Sequence, residues 1–289
     1  MEESAAFTIR DLETYDECLQ VRQVQQAIWS FAEPDTGLYP PVLVTASKNG
    51  GVVLGAFDRQ DDMLGYSFGF LGREPGGPLK LCSQTMGVLP AWRRRGVATS
   101  LKWAQRERAL AAGLPLITWT FDPLEGANAR LNLHKLGAVS RRYARNLYGE
   151  RFGDLNQGLP SDRLLVEWWI GGRRVRETGD REIGDGAREG VPVFEVGGQG
   201  VSRRVMGFRA DLDAPCLLLE VPLDIQQVKQ SSMSLAMDWR LRVREAFETC
   251  LERGYLVTDF FSEGRGENRR NYYRLSPVTD DLQDWIGME

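Results

Sequence analysis

The chain has 289 residues, 42% hydrophobic and 26% charged, with a formal net charge of −4; this is the balance of a globular protein about twice the usual ~150-residue domain. That charge supplies no concentrated positive field for nucleic acid or an anionic membrane. No run approaches the ~20 apolar residues that span a bilayer, and the single histidine, His134, excludes histidine-rich metal sites. The start, MEESAAFTIRDLETYDEC, lacks the basic flank and apolar run of a secretory leader, so the protein reads as cytoplasmic. Cys18, Cys82, Cys216 and Cys250 lie far apart, form no zinc or dithiol pair, and read as buried thiols.

Along the chain, Tyr15, Leu19, Val24 and Ile28 recur on one stripe between Asp11 and Trp29, the pattern of a first helix. Three runs then follow between Val42 and Leu89: VLVTASK with GGVVLGAFD, MLGYSFGFLG, and LKLCSQTMGVL. Gly, Pro and Asp turns separate them, so they read as an antiparallel meander. Pro90 closes the last strand. From Val97 the residues Leu101, Ala104 and Ala111 return with helical spacing as far as Gly113.

LPLITWTFD reads as a buried strand, Ala127 to Leu136 as a short helix stopped by Gly137, and RLLVEWWIG as another strand; a strand, helix, strand crossover implies a parallel pair. GGRRVRETGDREIGDGAREG has almost nothing to bury and reads as a linker. Beyond it come a strand at CLLLEVPLD and a helix from Leu235 to Arg253 with Ala236, Trp239, Val243, Phe247 and Cys250 or Leu251 on one face. A closing hairpin, YLVTDFFSE with RNYYRLSP, completes a β-α-β-β unit. No close internal repeat is read. The expected partition is therefore residues 1–170, a linker at 171–192, and a second domain at 193–289.

The most informative stretch is MGVLPAWRRRGVATSLKWAQRERALAAG. It sets Arg93, Arg94, Arg95, Gly96, Val97, Ala98 and Thr99 between a strand and a helix N-terminus. Free backbone N–H groups and the helix dipole converge at such a turn and favour an anion. Gly96 and Ala98 keep the turn small, and the arginines raise the local potential. A diphosphate suits it.

This spacing resembles the coenzyme A pyrophosphate motif of the GNAT superfamily of N-acyltransferases: Gln or Arg, two residues, Gly, one residue, Gly or Ala. Arg93, Gly96 and Ala98 occupy its fixed positions. The resemblance spans Phe7 to Ile170 and continues through WTFDPL, NARLNLHKLGAV and SDRLLVEWW. It implies an α/β (α+β) fold, a GNAT-like mixed sheet with flanking helices, whose central strands splay just past Val88. It also implies acetyl-CoA as co-substrate without a metal. The backbone of Met86, Gly87 and Val88 would bond the pantetheine arm, residues 94–99 would hold the pyrophosphate, and Asn128 would touch the cofactor arm or simply start a helix.

Direct acyl transfer needs a neutral amine, an oxyanion site and a proton for the leaving thiolate. The family's tyrosine donor falls at Leu133, and Cys82 and Gln84 stand where some relatives place a carboxylate. Asp122 is the best-placed carboxylate, or a turn cap before Pro123. Tyr143 and Tyr148 are replacement donors or packing residues. Cys82 is an acyl-accepting nucleophile or an inert thiol, Trp168 and Trp169 line an acceptor pocket or pack a core, and His134 reads as a solvated helix histidine.

The resemblance thus implies an enzyme, an acetyl-CoA-dependent N-acetyltransferase moving an acetyl or other acyl group directly to the amine of a small acceptor. The alternative is a catalytically silent acyl-CoA-binding sensor or scaffold, which Leu133 favours. The expected partner is a small-molecule amine, with no nucleic acid and no membrane. The second domain is open to three roles: decayed half-site, lid, or the dimerisation element of a homodimer.

Overall fold

A capping box opens the first helix. Thr14 Oγ1 accepts from the Glu17 amide at 3.3 Å, and the Glu17 carboxylate accepts from the Thr14 amide at 3.1 Å, so the two satisfy each other's orphan donors. The helix therefore runs over Tyr15–Trp29 (α1) rather than from Asp11, and Asp11 instead ends a strand, Thr8–Asp11 (β1). The computed structural model describes residues 6–29, 37–149, 157–180, 189–209 and 213–288. By packing the chain divides into two units, Met1–Trp119 and Thr120–Glu289.

In the first unit the run VLVTASK is helical, not extended. Pro40–Lys48 (α2) has Pro at its first position and buries Pro40 and Leu43, and proline's fixed φ is pre-organised for that place. The strands are Val52–Phe57 (β2), Met63–Arg73 (β3), Leu79–Val88 (β4) and Leu116–Phe121 (β5), which enters the second unit at its end. Val97–Ala111 (α3) connects β4 to β5. The sheet order is β1-β2-β3-β4-β5; β2, β3 and β4 pair antiparallel as expected, β1 adds to β2 antiparallel, and β5 joins β4 in parallel. Leu12, Val21, Leu43, Phe57, Tyr66 and Phe68 form part of one core cluster.

In the second unit come Gly126–Ala129 (α4), a π-helical turn at Arg130–Lys135, and the strands Val139–Ala144 (β6) and Arg163–Trp169 (β7). Next are Arg173–Arg176 (α5), Val191–Pro192 (β8), Phe194–Gly197 (β9), Arg204–Phe208 (β10) and Leu217–Val221 (β11). Ile225–Ser231 (α6), Met233–Glu252 (α7), Tyr255–Glu263 (β12), Arg270–Pro277 (β13) and Asp280–Ile286 (α8) complete it. Its main sheet runs β7-β6-β12-β13-β11-β8, with β9 and β10 as a separate hairpin. Of the α7 face read from sequence, Ala236, Trp239, Val243, Phe247 and Cys250 are buried and Leu251 is only half-buried, and Phe247 and Phe260 meet the Tyr273 ring edge-on at 5.1 and 4.9 Å, a favoured aromatic geometry.

The expected boundary at 170 does not coincide with a break in this sheet, because Val257 of β12 pairs with Ser140 of β6. Nor does the expected linker begin as an open loop. Arg174 and Val175 are buried, and the Arg174 guanidinium donates to the carbonyls of Gly137 and Thr258. Residues 181–188 of that stretch lie outside the described residues. Among the described residues, no helix is long and apolar enough to cross a membrane.

Candidate functional site

After β4 the chain makes a 3₁₀ turn at Pro90–Trp92 and then two left-handed steps, Arg94 at φ 63° and Gly96 at φ 87°. A bulky residue held in that region costs roughly 1–2 kcal/mol and marks a turn whose shape is imposed by its surroundings. Gly96 is the N-cap of α3, and no side chain caps the helix. The first helix amide to find a carbonyl is that of Ser100, which donates to Gly96 at 2.9 Å. Among the described residues, none of the amides from Arg94 to Thr99 donates a hydrogen bond of ordinary geometry. A Cβ built on Gly96 would meet nothing within 4 Å, so the turn is open on that side of Gly96. Arg93 turns back, its Nε donating to the Val88 carbonyl at 3.2 Å, and the Arg95 guanidinium lies 5.3 Å from the Trp92 ring.

The strand leading into this turn parts from its neighbour early. β4 and β5 pair only over Lys80–Cys82 and Leu116–Thr118, so the divergence begins after Cys82, not past Val88 as expected. The next residues carry an arrangement that the sequence reading missed. Lys102, on α3, is 2% exposed; its Nζ donates to Ser83 Oγ at 2.7 Å and to Gln105 Oε1 at 3.2 Å, and it lies 3.8 Å from the Trp119 ring. Gln105 in turn donates to Ser67 Oγ at 3.0 Å. Ser83 and Trp119 are the first residues of β4 and β5 beyond their last pair, so a lysine amine sits at the fork of the splay. Burial pushes this amine down to about 7, because a low dielectric disfavours the ammonium. The available sequence signal was a polar pair, Lys102 and Gln105, on the face that α3 buries with Val97, Leu101 and Ala109; Ala104 and Ala111 lie off that face.

On the opposite side of β4, a bulge shifts the β3 register between Phe68↔Thr85 and Gly69↔Ser83, leaving Gln84 as the extra residue. Bulges re-aim side chains, and Gln84 is exposed at a cavity of about 660 Å³ also lined by Leu38, Val42, Phe68 and Phe70. Beside it a buried chain runs from Gln25 Nε2 to Tyr66 OH at 2.9 Å and from Tyr66 OH to Thr85 Oγ1 at 3.1 Å. Burial holds the Tyr66 phenol above its ordinary range. Gly87 lets the strand pack closely, since a Cβ there would come within 2.7 Å of the tip of Ile28 and 3.0 Å of the Tyr66 ring.

The first unit thus gathers Gln84, Met86, Gly87, Val88 and residues 93–99, whereas Asp122, Asn128 and Tyr148 fall in the second. Both Asp122 oxygens are engaged, accepting from the Leu124 amide at 2.8 Å and from Arg240 Nη2 at 2.5 Å. Asn128 is exposed on α4, its amide bonded to the Glu125 carbonyl at 3.0 Å. Tyr148 OH lies 3.0 Å from Thr120 Oγ1, whereas Tyr143 OH donates to Asp162 at 2.8 Å and its ring stacks on Phe247. Leu133 and Trp168 are fully buried, Trp169 is 6% exposed, and Trp168 Nε1 donates to the Leu136 carbonyl. His134 is not solvated but paired with Asp259, 3.2 Å away. The Cys82 thiol lies 4.0 Å from Thr118 Oγ1.

No family model matches the chain and no curated protein matches it. Among solved structures it is similar to the ribosomal-protein-S18-alanine N-acetyltransferase of Escherichia coli, at 14% identity over 56% of this chain and 92% of that one, TM-score 0.44. It is also similar to Arabidopsis thaliana NAA60 in complex with a bisubstrate analogue, at 16% identity over 56% and 97%, TM-score 0.44. A third is a Desulfovibrio desulfuricans protein assigned to the GNAT family, at 17% identity over 57% and 99%, TM-score 0.43.

Proposed function

We propose that the first unit binds acetyl-CoA or another acyl-CoA, and that the protein transfers the acyl group directly to the amine of a small acceptor, as an N-acetyltransferase. The observation that carries this reading is the run of amides from Arg94 to Thr99, none of which donates a hydrogen bond of ordinary geometry to a described residue, around a left-handed Gly96 that has open space on its Cβ side. Charge-assisted bonds of ~1.5–3 kcal/mol each to a diphosphate would suffice for micromolar binding, about 8 kcal/mol, after the ordering costs of association. Arg94 and Arg95 add positive potential at the rim. The edge that β4 exposes beyond Cys82 would receive the pantetheine arm along Met86 and Gly87, with Val88's carbonyl shared with Arg93.

The bound thioester would supply an activated acyl group. The chain's own residues would orient it: the turn would fix the diphosphate, the β4 edge left unpaired beyond Cys82 would hold the arm, and Gln84 would offer an amide to an acceptor in the cavity it lines. Asp122 and Tyr148 stand as weaker catalytic candidates, Asp122 because both its oxygens are engaged. This supports the rival reading as well. With Leu133 buried and apolar, a chain that grips acyl-CoA without turning it over would be a sensor or scaffold.

Two measurements decide. Calorimetric titration with coenzyme A should give saturable binding that Gly96→Glu abolishes, because the variant sets a carboxylate before the amides, while Gly96→Ala, which adds only left-handed strain, loses about tenfold or less. Unchanged affinity in Gly96→Glu would move the site elsewhere. Thiol release from acetyl-CoA across a panel of amines then separates enzyme from sensor, since binding without turnover on any amine leaves only the latter.

A further inference from the structure

The second unit contains one short motif twice. Gly198-Gln-Gly200-Val-Ser-Arg203-Arg204 joins β9 to β10, and Gly264-Arg-Gly266-Glu-Asn-Arg269-Arg270 joins β12 to β13, so the chain has a repeat that sequence reading overlooked. The two tips share one backbone. Their glycines are left-handed at φ 85° and 50° in the first and 77° and 56° in the second, and each makes a single 3₁₀ turn, Gly200–Ser202 and Gly266–Asn268. The closing pairs are Arg204↔Gly197 and Arg270↔Glu263. The leading glycine is obligatory in each, since a Cβ would lie 2.8 Å from the Ser202 carbonyl oxygen or 2.4 Å from that of Asn268.

Both tips border one cavity of about 250 Å³ at the carboxyl end of β11. Its inner wall is apolar, with Val221, Val228 and Trp239 at 2, 4 and 1% exposure, and Leu223 stands 46% exposed at its mouth. Three arginines and two carboxylates line it, leaving one positive charge in excess. Both carboxylates are occupied by the protein. Glu220 accepts from Arg203 Nε at 3.0 Å and pairs with its Nη2 at 2.7 Å, and Asp224 caps α6 through the amides of Gln226 and Gln227. Among the described residues, Arg270 reaches Glu220 only at 3.8 Å and Tyr272 OH only at 3.5 Å, and Arg269 makes one contact, to Ser262 Oγ at 3.3 Å. Most of the donors of this guanidinium pair therefore meet no described residue, at the mouth of an apolar cavity.

We propose that this cavity is a binding site for a small organic carboxylate, whose apolar body packs on Val221, Val228 and Trp239 and whose anion is held by Arg269 and Arg270. A guanidinium fork matches a carboxylate in two parallel bonds, and the volume, below the range of drug-sized pockets, suits a single ring or short chain. This site is independent of the acyl-CoA reading and stands if that reading fails.

Benzoate is the probe, titrated calorimetrically into the full chain beside benzyl alcohol and inorganic phosphate. Benzoate should bind saturably below about 10 mM, with the neutral alcohol and the bodiless phosphate each at least about tenfold weaker. Arg269→Gln with Arg270→Gln should weaken benzoate about tenfold or more. Leu223→Asp, at an exposed position that leaves the fold undisturbed, should do the same by placing a like charge at the mouth. No heat from benzoate, or an affinity unmoved by Leu223→Asp, would overturn the proposal, and phosphate binding tighter than benzoate would overturn its apolar part.

Discussion

Among the described residues, the most deeply buried cations of the two units, Lys102 at 2% and Arg240 at 1% exposure, are accommodated in opposite ways. In the first, Lys102 is surrounded by Ser83, Gln105 and the face of Trp119, with no carboxylate bonded to it among the described residues. In the second, Arg240 is 1% exposed and faces the carboxylate of Asp122 at 2.5 Å, while its Nε and Nη1 find no partner among the described residues. The difference follows from the two side chains. A lysine can escape burial by releasing its proton, as the fall of Lys102 to about 7 indicates, whereas a guanidinium stays charged, and at Arg240 the counter-charge is Asp122.

The largest effect should come from removing that counter-ion. Asp122→Asn leaves an uncompensated buried guanidinium and should cost about 3–5 kcal/mol in urea denaturation. The double variant Asp122→Leu with Arg240→Met should recover most of it, because an apolar pair of similar volume carries no desolvation penalty. If Asp122→Asn instead abolishes thiol release with stability intact, the carboxylate is catalytic and the comparison breaks.

Lys102 should respond to pH where Arg240 does not. Below pH 7 both folded and unfolded chains hold its proton, and the penalty on the buried ammonium is complete. Between about 7 and 10.5 only the unfolded chain is protonated, so stability contributed through this residue rises with pH and then levels. Lys102→Met removes the titration. The stability difference between variant and wild type should favour Met most below pH 7 and fall by roughly 1.4 kcal/mol per pH unit above it, on the order of 3–5 kcal/mol in all. A difference that is flat from pH 6 to 10, followed by thermal or urea unfolding, would mean that the amine is not desolvated.

The contrast between what sequence reading found and what it missed has the same origin. The turn from Leu89 to Thr99 was legible because a proline, a glycine and a helical stripe are local signals, each fixed by the backbone of its own neighbours. VLVTASK was misread as a strand because its β-branched residues outweighed Pro40 at a helix start. The roles of Lys102 and Asp122 depend on partners brought in by the fold, Trp119 and Arg240, and a lysine among the charged residues of α3 has every appearance of a solvated one. The boundary near 170 was placed on composition, which carries no information about the pairing of Ser140 with Val257. The twin hairpin tips escaped because they agree only at two glycines and two arginines.

The smallest change tests the fork of the splay most directly. Ser83 Oγ receives the shortest bond from Lys102, at 2.7 Å, and an acceptor of this kind favours the charged amine. Ser83→Ala should therefore cost only about 1 kcal/mol while driving the Lys102 titration still lower, so that the pH-dependent rise in stability begins below 7. Read with Lys102→Met in a double-mutant cycle, the pair should show a coupling of about 1 kcal/mol at pH 6 that weakens once the amine is neutral. Additive single effects at both pH values would mean that the hydroxyl does not hold the amine, and the lysine would then be desolvated by Trp119 and the sheet alone.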